Sequence, residues 1–224
     1  MKIVTIEGAC YSGKTTLLKG LETSGGVQIV EEYVHYMGGS KKMPRFPPPT
    51  TDQAKSVISM FVEIEKKRCS DAIELYEKSG GIPILMDRSP FSCMLFEKTI
   101  QTRFPKIPNV FEYSVEAFAK EIELGSIFIP PAIIYIKPQN DKIFEQRVKK
   151  RGRVPVDFLN EVETLELQNS WYQKILDNFY IGNSFTVESR DNNLEADVNH
   201  VKDFLYSTTF NNKIIILHSL ITLL

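Results

Sequence analysis

The sequence predicts an α/β protein with one parallel sheet of about five strands and helices on both faces, and two observations lead to this class. Short apolar runs rich in β-branched residues alternate with longer segments in which apolar residues recur every three or four positions. Strands that alternate with helices imply a parallel sheet covered on both faces. We find no repeat or low-complexity segment, and we expect a single domain over residues 1–210.

Four apolar runs are predicted to be buried strands, because each is short and is bounded by Gly, Pro or Asp. Residues 184–188 are a weaker fifth candidate. The four runs are residues 2–7, 27–31, 82–86 and 132–137.

Helices are predicted between these strands. The longest covers residues 51–79, where apolar residues recur at helical spacing and where Thr50 and Gln53 have the spacing of a capping box. Residues 38–50, which contain four prolines, are expected to form a stiff loop and not a domain boundary. The other helices are predicted at residues 15–22, 143–150, 158–179 and 194–206.

The charge balance of the 224-residue chain argues against two classes of partner. Its 27 basic and 28 acidic side chains give a net charge of −1, so composition does not support binding to a nucleic acid polymer or to a membrane surface. Three scattered cysteines are too few for a disulfide framework or a zinc cluster. We therefore expect an intracellular, cytoplasmic protein with reduced thiols.

The longest apolar run of the chain lies in the tail, residues 211–224. His218, Ser219 and Thr222 interrupt it, and it is too short to span a bilayer. An apolar terminus left in solvent would promote aggregation. We therefore predict no transmembrane segment, and a tail that packs on the body or in an oligomer interface, which leaves a homodimer open.

Residues 8–15, GACYSGKT, fit the pattern G-x-x-x-x-G-K-[ST] at every fixed position, between a predicted strand and a predicted helix. Glycines let such a loop wrap closely around a phosphate, and its N–H groups then point inward at the positive end of the helix. The pattern predicts a P-loop NTPase fold that binds a nucleoside triphosphate, with Lys14 at the outer phosphates and the Thr15 hydroxyl on Mg²⁺. The predicted binding residues are Gly8, Ala9, Cys10, Tyr11, Ser12, Gly13, Lys14, Thr15 and Thr16.

Two predicted strand ends carry charged residues, and ligands of a parallel α/β sheet bind beyond the carboxyl ends of its strands. After the second strand, Glu31 or Glu32 could accept the proton of a hydroxyl group that receives phosphate. Adjacent strand residues point to opposite faces, so only one of the two glutamates can act as the base if the strand continues through both. After the third strand, Asp87 could bind Mg²⁺ and Arg88 could hold the transferring phosphoryl group.

A basic segment, RVKKRGR at residues 147–153, follows the fourth strand, and we call it the lid. Arg147 and Arg151 are four residues apart and share a helix face. Gly152 ends that helix, and Arg153 follows it. Such a short arginine-rich lid can close over a triphosphate and neutralise developing charge. We expect Arg147 to bind nucleotide, and Arg151 and Arg153 to stabilise the transferring phosphoryl group.

Together these residues resemble the deoxynucleoside kinase and thymidylate kinase superfamily of P-loop kinases, over about residues 1–206. Residues 32–34, EYV, are similar to the Glu-Pro-Val element of deoxynucleoside kinases with Tyr in place of Pro, and the Pro-Gly-Gly of thymidylate kinases is absent here. Residues 87–89, DRS, are similar to the acidic-Arg-Ser element that the family uses for metal and phosphate. The resemblance implies an ATP- and Mg²⁺-dependent kinase in which Glu32 is the general base.

Departures from the family pattern leave the acceptor open. Phe61 stands where deoxynucleoside kinases usually carry a glutamine that reads the base, seven residues before an arginine that Arg68 matches. Cys93 stands where some members carry an aspartate. The acceptor could be a deoxynucleoside, a nucleoside monophosphate or another small alcohol such as a sugar, a vitamin or an antibiotic. Phe61 in place of the glutamine favours the last of these, another small alcohol.

A further alternative is a nucleotide-binding regulatory protein that hydrolyses ATP slowly or not at all. Glu32 and the pair Asp87 and Arg88 favour an enzyme, since a passive binder needs no base. We expect ATP and Mg²⁺ as cofactors and a small-molecule phosphoryl acceptor as the partner. The implied catalytic residues are Lys14, Glu32, Arg88, Arg151 and Arg153.

Overall fold

Five parallel strands form the central sheet of the protein. The computed structural model describes residues 1–152, 154, 156–210 and 217–224. The strands are β1 (Ile3–Glu7), β2 (Gln28–Val30), β3 (Ile84–Asp87), β4 (Ala132–Pro138) and β5 (Ser184–Ser189), in the order β2-β3-β1-β4-β5. All five predicted strands are confirmed, and their ends differ from the predicted ones by at most two residues.

Helices cover both faces of this sheet, which confirms the predicted α/β class. Short 3₁₀ turns lie at Ser40–Lys42 and Asp157–Asn160. The helices of the described residues are α1 (Lys14–Ser24), α2 (Tyr33–Tyr36), α3 (Thr51–Lys78), α4 (Pro90–Arg103), α5 (Phe111–Glu123), α6 (Asp141–Arg151), α7 (Val162–Phe179), α8 (Leu194–Ser207) and α9 (Ser219–Leu223).

The side chains of β1 explain why helices lie on both faces. Ile3 belongs to an apolar cluster with residues of α3, α4, α5 and α7, whereas Val4 and Ile6 belong to a second cluster with residues of α1 and α8. Successive residues of a strand point to opposite faces, and every residue of β1 is buried. The neighbours of β1 are β3 and β4, so the carboxyl ends of β1 and β3 lie side by side.

The helices differ from the prediction in several places, and the short helices α2 and α9 were not predicted. The predicted helix at residues 158–179 begins later, because residues 157–160 form a 3₁₀ turn and Glu161 has an extended backbone before α7. Helices α4 and α5 have no counterpart among the predicted helices. α4 contacts both α5 and α7 and buries residues on several sides, such as Phe91, Glu97 and Ile100, so it lacks the single apolar stripe that marks a surface helix.

The described part of the apolar tail packs on the body. Leu217 and Leu220 are buried in the cluster of α3, α4, α5 and α7, and Lys174 on α7 donates a hydrogen bond to the carbonyl oxygen of Leu223 (3.1 Å). The remainder of the tail, residues 211–216, lies outside the described residues. In the described ranges, no helix has both the length and the hydropathy needed to cross a membrane.

We expect a chain that ends at Phe210 to unfold at a lower temperature than the full chain, because it loses these two buried leucines. Replacing Leu220 by Ala is expected to lower the free energy of unfolding by about 2–5 kcal/mol, and the half-buried Leu224→Ala serves as the control. Thermal and urea unfolding measure both effects, and light scattering shows whether the tail also holds a homodimer. If the shortened chain has the same stability and the same oligomeric state as the full chain, the packing is contradicted.

Candidate active site

The phosphate loop connects β1 to α1 at the carboxyl edge of the sheet. Gly8 and Gly13 have φ angles of +149° and +104°, and a Cβ atom on Gly8 would lie 2.2 Å from the carbonyl oxygen of Ile136, so only glycine fits there. Gly13 is the N-cap of α1, and the loop therefore ends at the positive end of a helix, where N–H groups favour an anion. Thr15 and Thr16 are exposed on the first turn of α1, so their hydroxyls are accessible.

Lys14 lies inside the site and not in solvent. The residue is only 7% exposed, and its Nζ donates a hydrogen bond to the carbonyl oxygen of Gly8 (3.0 Å). Burial lowers the pKa of Lys14, and the charge of Arg88 lowers it further, whereas the charge of Asp87 raises it. The lysine ammonium is therefore held between the phosphate loop and the charged ends of the neighbouring strands.

The predicted base and the predicted phosphate-binding arginine meet at this edge. Nε of Arg88 donates to Oε2 of Glu32 (3.1 Å), and Nη1 of Arg88 donates to the carbonyl oxygen of Gly8 (3.3 Å). The φ angle of Arg88 is +75°, and a residue with a side chain in such a backbone conformation carries a cost of about 1–3 kcal/mol. Its N–H donates to the carbonyl oxygen of Ile6 (2.9 Å). Strain of this kind concentrates at functional sites.

Glu32 and Glu31 differ sharply in their surroundings. β2 ends at Val30, so the two glutamates are not successive residues of a strand. Glu31 is exposed, and Glu32 is the N-cap residue of α2. Burial raises the pKa of Glu32, but the charge and hydrogen bond of Arg88, together with the charges of Lys14 and Arg68, bring the pKa below its usual value. Glu32 is therefore ionised at neutral pH beside Arg88.

Asp87, the last residue of β3, has a buried carboxylate oxygen without a donor. The residue is 7% exposed, and within the described part of the chain its Oδ1 accepts no hydrogen bond. Burial raises the pKa of Asp87, and the charges of Lys14 and Arg88 oppose that rise. Burying a carboxylate oxygen is costly unless a proton donor or a cation compensates it.

Arg68, the arginine that matches the family pattern, is fully buried. It forms an ion pair with Glu65. Its Nε donates to the carbonyl oxygen of Glu31 (3.0 Å), and its Nη2 donates to those of Asp87 and Arg88 (2.8 Å each). Four of its five N–H groups are thereby used by protein, so Arg68 holds the ends of β2 and β3 together.

The aromatic residues beside Arg68 include the predicted departures from the family pattern. The ring of Tyr33 lies 4.4 Å from the Arg68 guanidinium carbon, and the ring of Phe61 packs edge-to-face on Tyr33, with centroids 5.3 Å apart. Glu65 was not among the predicted site residues. The sequence does contain a sign of it, because Glu65 is a carboxylate on the buried face of α3, between the apolar residues Val62 and Cys69.

The arginines of the lid differ in their surroundings. Arg147 contacts the outer side of the phosphate loop, where its Nη1 donates to the carbonyl oxygens of Tyr11 (3.2 Å) and Ser12 (3.0 Å), and it pairs with Asp191 (3.0 Å). Arg151, the last residue of α6, is exposed. Arg153 lies outside the described residues. Nucleotide contacts by these three arginines stay predictions.

The side chain of Tyr11 connects the phosphate loop to the lid, a contact that sequence reasoning missed. Its hydroxyl lies 2.8 Å from the carbonyl oxygen of Gly152 and 2.7 Å from Oδ1 of Asn160, and it accepts a hydrogen bond from the N–H of Val154 (2.9 Å). The ring packs edge-to-face on Phe144 of α6. Only the backbone of Tyr11 was predicted to bind phosphate, but its side chain also holds the end of α6.

A glycine loop at a helix terminus, a buried lysine and a glutamate–arginine pair at one sheet edge define a P-loop phosphotransferase. The family model for deoxynucleoside kinases matches residues 4–214. The chain therefore belongs to the deoxynucleoside kinase family, and the predicted resemblance is confirmed.

Solved structures show the same fold. A deoxyadenosine kinase from M. mycoides with the products dCMP and a flexible dCDP bound has 17% sequence identity and a TM-score of 0.54. A structure of deoxyadenosine kinase from M. mycoides with bound dCTP has 18% identity and a TM-score of 0.58. Each match covers 92% of this chain and 100% of the other. No curated protein sequence matches this chain.

Proposed function

We propose that this kinase transfers the γ-phosphate of ATP to a hydroxyl group of a deoxynucleoside. The observation that carries the proposal is the contact between Glu32 and Arg88, 3.1 Å apart, beside the phosphate loop. A base for the acceptor and a cation for the phosphoryl group are what transfer to an alcohol needs. The deoxynucleoside kinase family and the deoxycytidine nucleotides bound to the M. mycoides enzyme support the choice of acceptor.

The residues of the site have separate roles in this reaction. The phosphate loop and Lys14 hold the triphosphate, and Arg88 stabilises the charge on the transferring phosphoryl group. The acceptor oxygen forms a bond to the γ-phosphorus, the bond from that phosphorus to the bridging oxygen of ADP breaks, and the hydroxyl proton goes to Glu32. Catalysis then consists mainly of positioning and charge stabilisation.

We further propose that Mg²⁺ accompanies the ATP and that Asp87 and Thr15 would hold it. The unpartnered Oδ1 of Asp87 is a hard oxygen ligand of the kind this ion takes. Among the described residues, no group of three His, Cys, Asp or Glu side chains could hold a metal, which suits an ion that takes most of its ligands from phosphates and water. When bound, the ion neutralises charge on the phosphates.

A second candidate is a kinase of another small alcohol. Phe61, which packs edge-to-face on Tyr33, favours it, because its ring stands where the family resemblance places a base-reading glutamine and has no hydrogen-bonding group for the edge of a nucleobase.

An acceptor panel separates these functions. ADP release is measured with ATP and Mg²⁺ in the presence of each deoxynucleoside, ribonucleoside, nucleoside monophosphate and a set of sugars and vitamins, with Lys14→Ala as the blank. We expect deoxynucleosides to stimulate turnover most strongly. Stimulation by a non-nucleoside alcohol alone would identify the second candidate, and ADP release independent of any acceptor would contradict both.

A further inference from the structure

The buried carboxylate of Glu7 lies at the end of β1, next to the phosphate loop, and has no role in the reaction described so far. Glu7 is fully buried. Its Oε1 accepts from the N–H and the hydroxyl of Ser89 (2.7 and 2.6 Å), and its Oε2 accepts from the hydroxyls of Ser92 (2.6 Å) and Tyr172 (2.8 Å). Four donors compensate the burial of this charge.

Ser92 is the one of these donors that also contacts Arg88. Its hydroxyl has a single proton, which is donated to Glu7, so its oxygen accepts the hydrogen bond from Nη1 of Arg88 (3.2 Å). The hydroxyl of Tyr172 lies 3.3 Å from Ser92, but its proton is also donated to Glu7. A hydroxyl that donates to a carboxylate is a better acceptor, so the hydrogen bond from Ser92 to Glu7 strengthens the one from Arg88 to Ser92.

These contacts fix the rotation of the planar Arg88 guanidinium. Nε donates to Glu32, and the two protons of Nη1 go to the carbonyl oxygen of Gly8 and to Ser92. Among contacts of the described residues, Nη2 has no protein acceptor. The contacts that hold Nε and Nη1 of Arg88 thus leave Nη2 available to bind an anionic oxygen.

The position of Ser92 follows from the local sequence. Ser89 is the N-cap residue of α4 and Pro90 is its first residue, and Pro at this position is favourable because its missing N–H would have no helical partner. Ser92 lies on the first turn of α4, four residues after Arg88, and its N–H donates to the carbonyl oxygen of Ser89 (3.0 Å). The start of the helix therefore brings the Ser92 hydroxyl back towards Arg88.

We propose that Ser92 is a positioning residue, which connects the buried Glu7 to Arg88 and turns the Arg88 guanidinium so that Nη2 faces the transferring phosphoryl group. The proposal rests on the proposed function in one respect, the role of Arg88 in phosphoryl transfer. Ser92 itself touches neither nucleotide nor acceptor in this scheme.

Three single variants test the proposal. Ser92→Ala is expected to lower kcat about tenfold, the effect of one hydrogen bond to a charged group, with the KM for ATP changed less than about twofold. Tyr172→Phe removes a donor from the same oxygen of Glu7 but no contact with Arg88, and it should cost clearly less. Ser114→Ala removes a buried serine hydroxyl on α5 that donates to the carbonyl oxygen of Phe111 (2.6 Å), and it should leave activity unchanged. Equal losses in Ser92→Ala and Tyr172→Phe would overturn the proposal, because the effect would then run through Glu7 alone.

The same substitution is made in an Arg88→Lys background. If Ser92 acts through Arg88, Ser92→Ala has little further effect there, because residues that act as a unit are not additive. A full additional tenfold loss would show an independent structural role and would overturn the proposal. Circular dichroism and thermal unfolding confirm that each variant is folded.

One readout needs no turnover, and it separates failure of this proposal from failure of the proposed function. The ¹H–¹⁵N signal of Arg88 Nε is assigned by its loss in Arg88→Lys. It should shift in Ser92→Ala and stay in place in Ser114→Ala, whether or not a deoxynucleoside is phosphorylated. An unshifted signal in Ser92→Ala would overturn the positioning role, whereas an acceptor panel without deoxynucleoside turnover would overturn only the proposed function.

Discussion

Lys14→Ala is expected to remove most of the activity and to leave the fold intact. Lys14 is 7% exposed, and among the described residues its hydrogen-bond partner is the carbonyl oxygen of Gly8, so the ammonium supports the loop but is not part of an apolar core. Loss of a charge-assisted contact to phosphate costs about 1.5–3 kcal/mol in binding. The loss is larger in the transition state, where the charge on the phosphoryl group is redistributed.

The matched control for this variant is Lys19→Ala, which removes an exposed lysine from the same helix, α1. Steady-state kinetics, calorimetric binding of ATP and circular dichroism are measured on both. Near-normal turnover of folded Lys14→Ala would show that the phosphate loop does not hold the reacting nucleotide.

Glu32→Gln is expected to lower kcat and kcat/KM together by roughly 10²–10⁴-fold, the range for a general base. The amide keeps an oxygen that can accept from Nε of Arg88, so the geometry of the pair is largely preserved and ATP affinity should not change. What is lost is the carboxylate that accepts the proton of the attacking hydroxyl.

Glu31→Gln is the control, because Glu31 is adjacent in sequence but exposed, and its contact with Arg68 is made by its backbone carbonyl. It should have a small effect. A large loss in Glu31→Gln with little loss in Glu32→Gln would move the base by one residue. Normal rates in both variants would remove the base from the mechanism and leave a site that acts by charge and position alone.

The parts of the site that depend on contiguous sequence were predictable. The phosphate loop occupies eight consecutive residues, and its spacing is diagnostic without any tertiary information. Glu32 and Arg88 are 56 residues apart, yet one rule brings them together, since the carboxyl ends of parallel strands share an edge. The five strands were predictable from contiguous sequence too, because each is a short apolar run with clear ends.

Contacts that depend on the direction of a single side chain were not predictable. Tyr11 reaches Gly152 across 141 residues, and Glu7 reaches Ser92 across 85, and neither pair has a spacing that a local pattern could reveal. Helix α4 was missed because its buried residues lie on several sides. α5 was missed although Phe111, Val115 and Phe118 recur at helical spacing, so the same rule of periodicity would have found it.

The place of Arg68 links the position of α3 to the edge of the sheet that carries Glu32 and Arg88. One buried side chain supports the backbone on which both Glu32 and Arg88 stand, and Phe61, at the position that the family resemblance assigns to a base-reading glutamine, lies two helical turns earlier on the same helix. A change that shifts α3 is therefore expected to shift Glu32 and Arg88 as well. Variants of α3 that are made to change the acceptor therefore have to keep the Glu65–Arg68 ion pair as a fixed point.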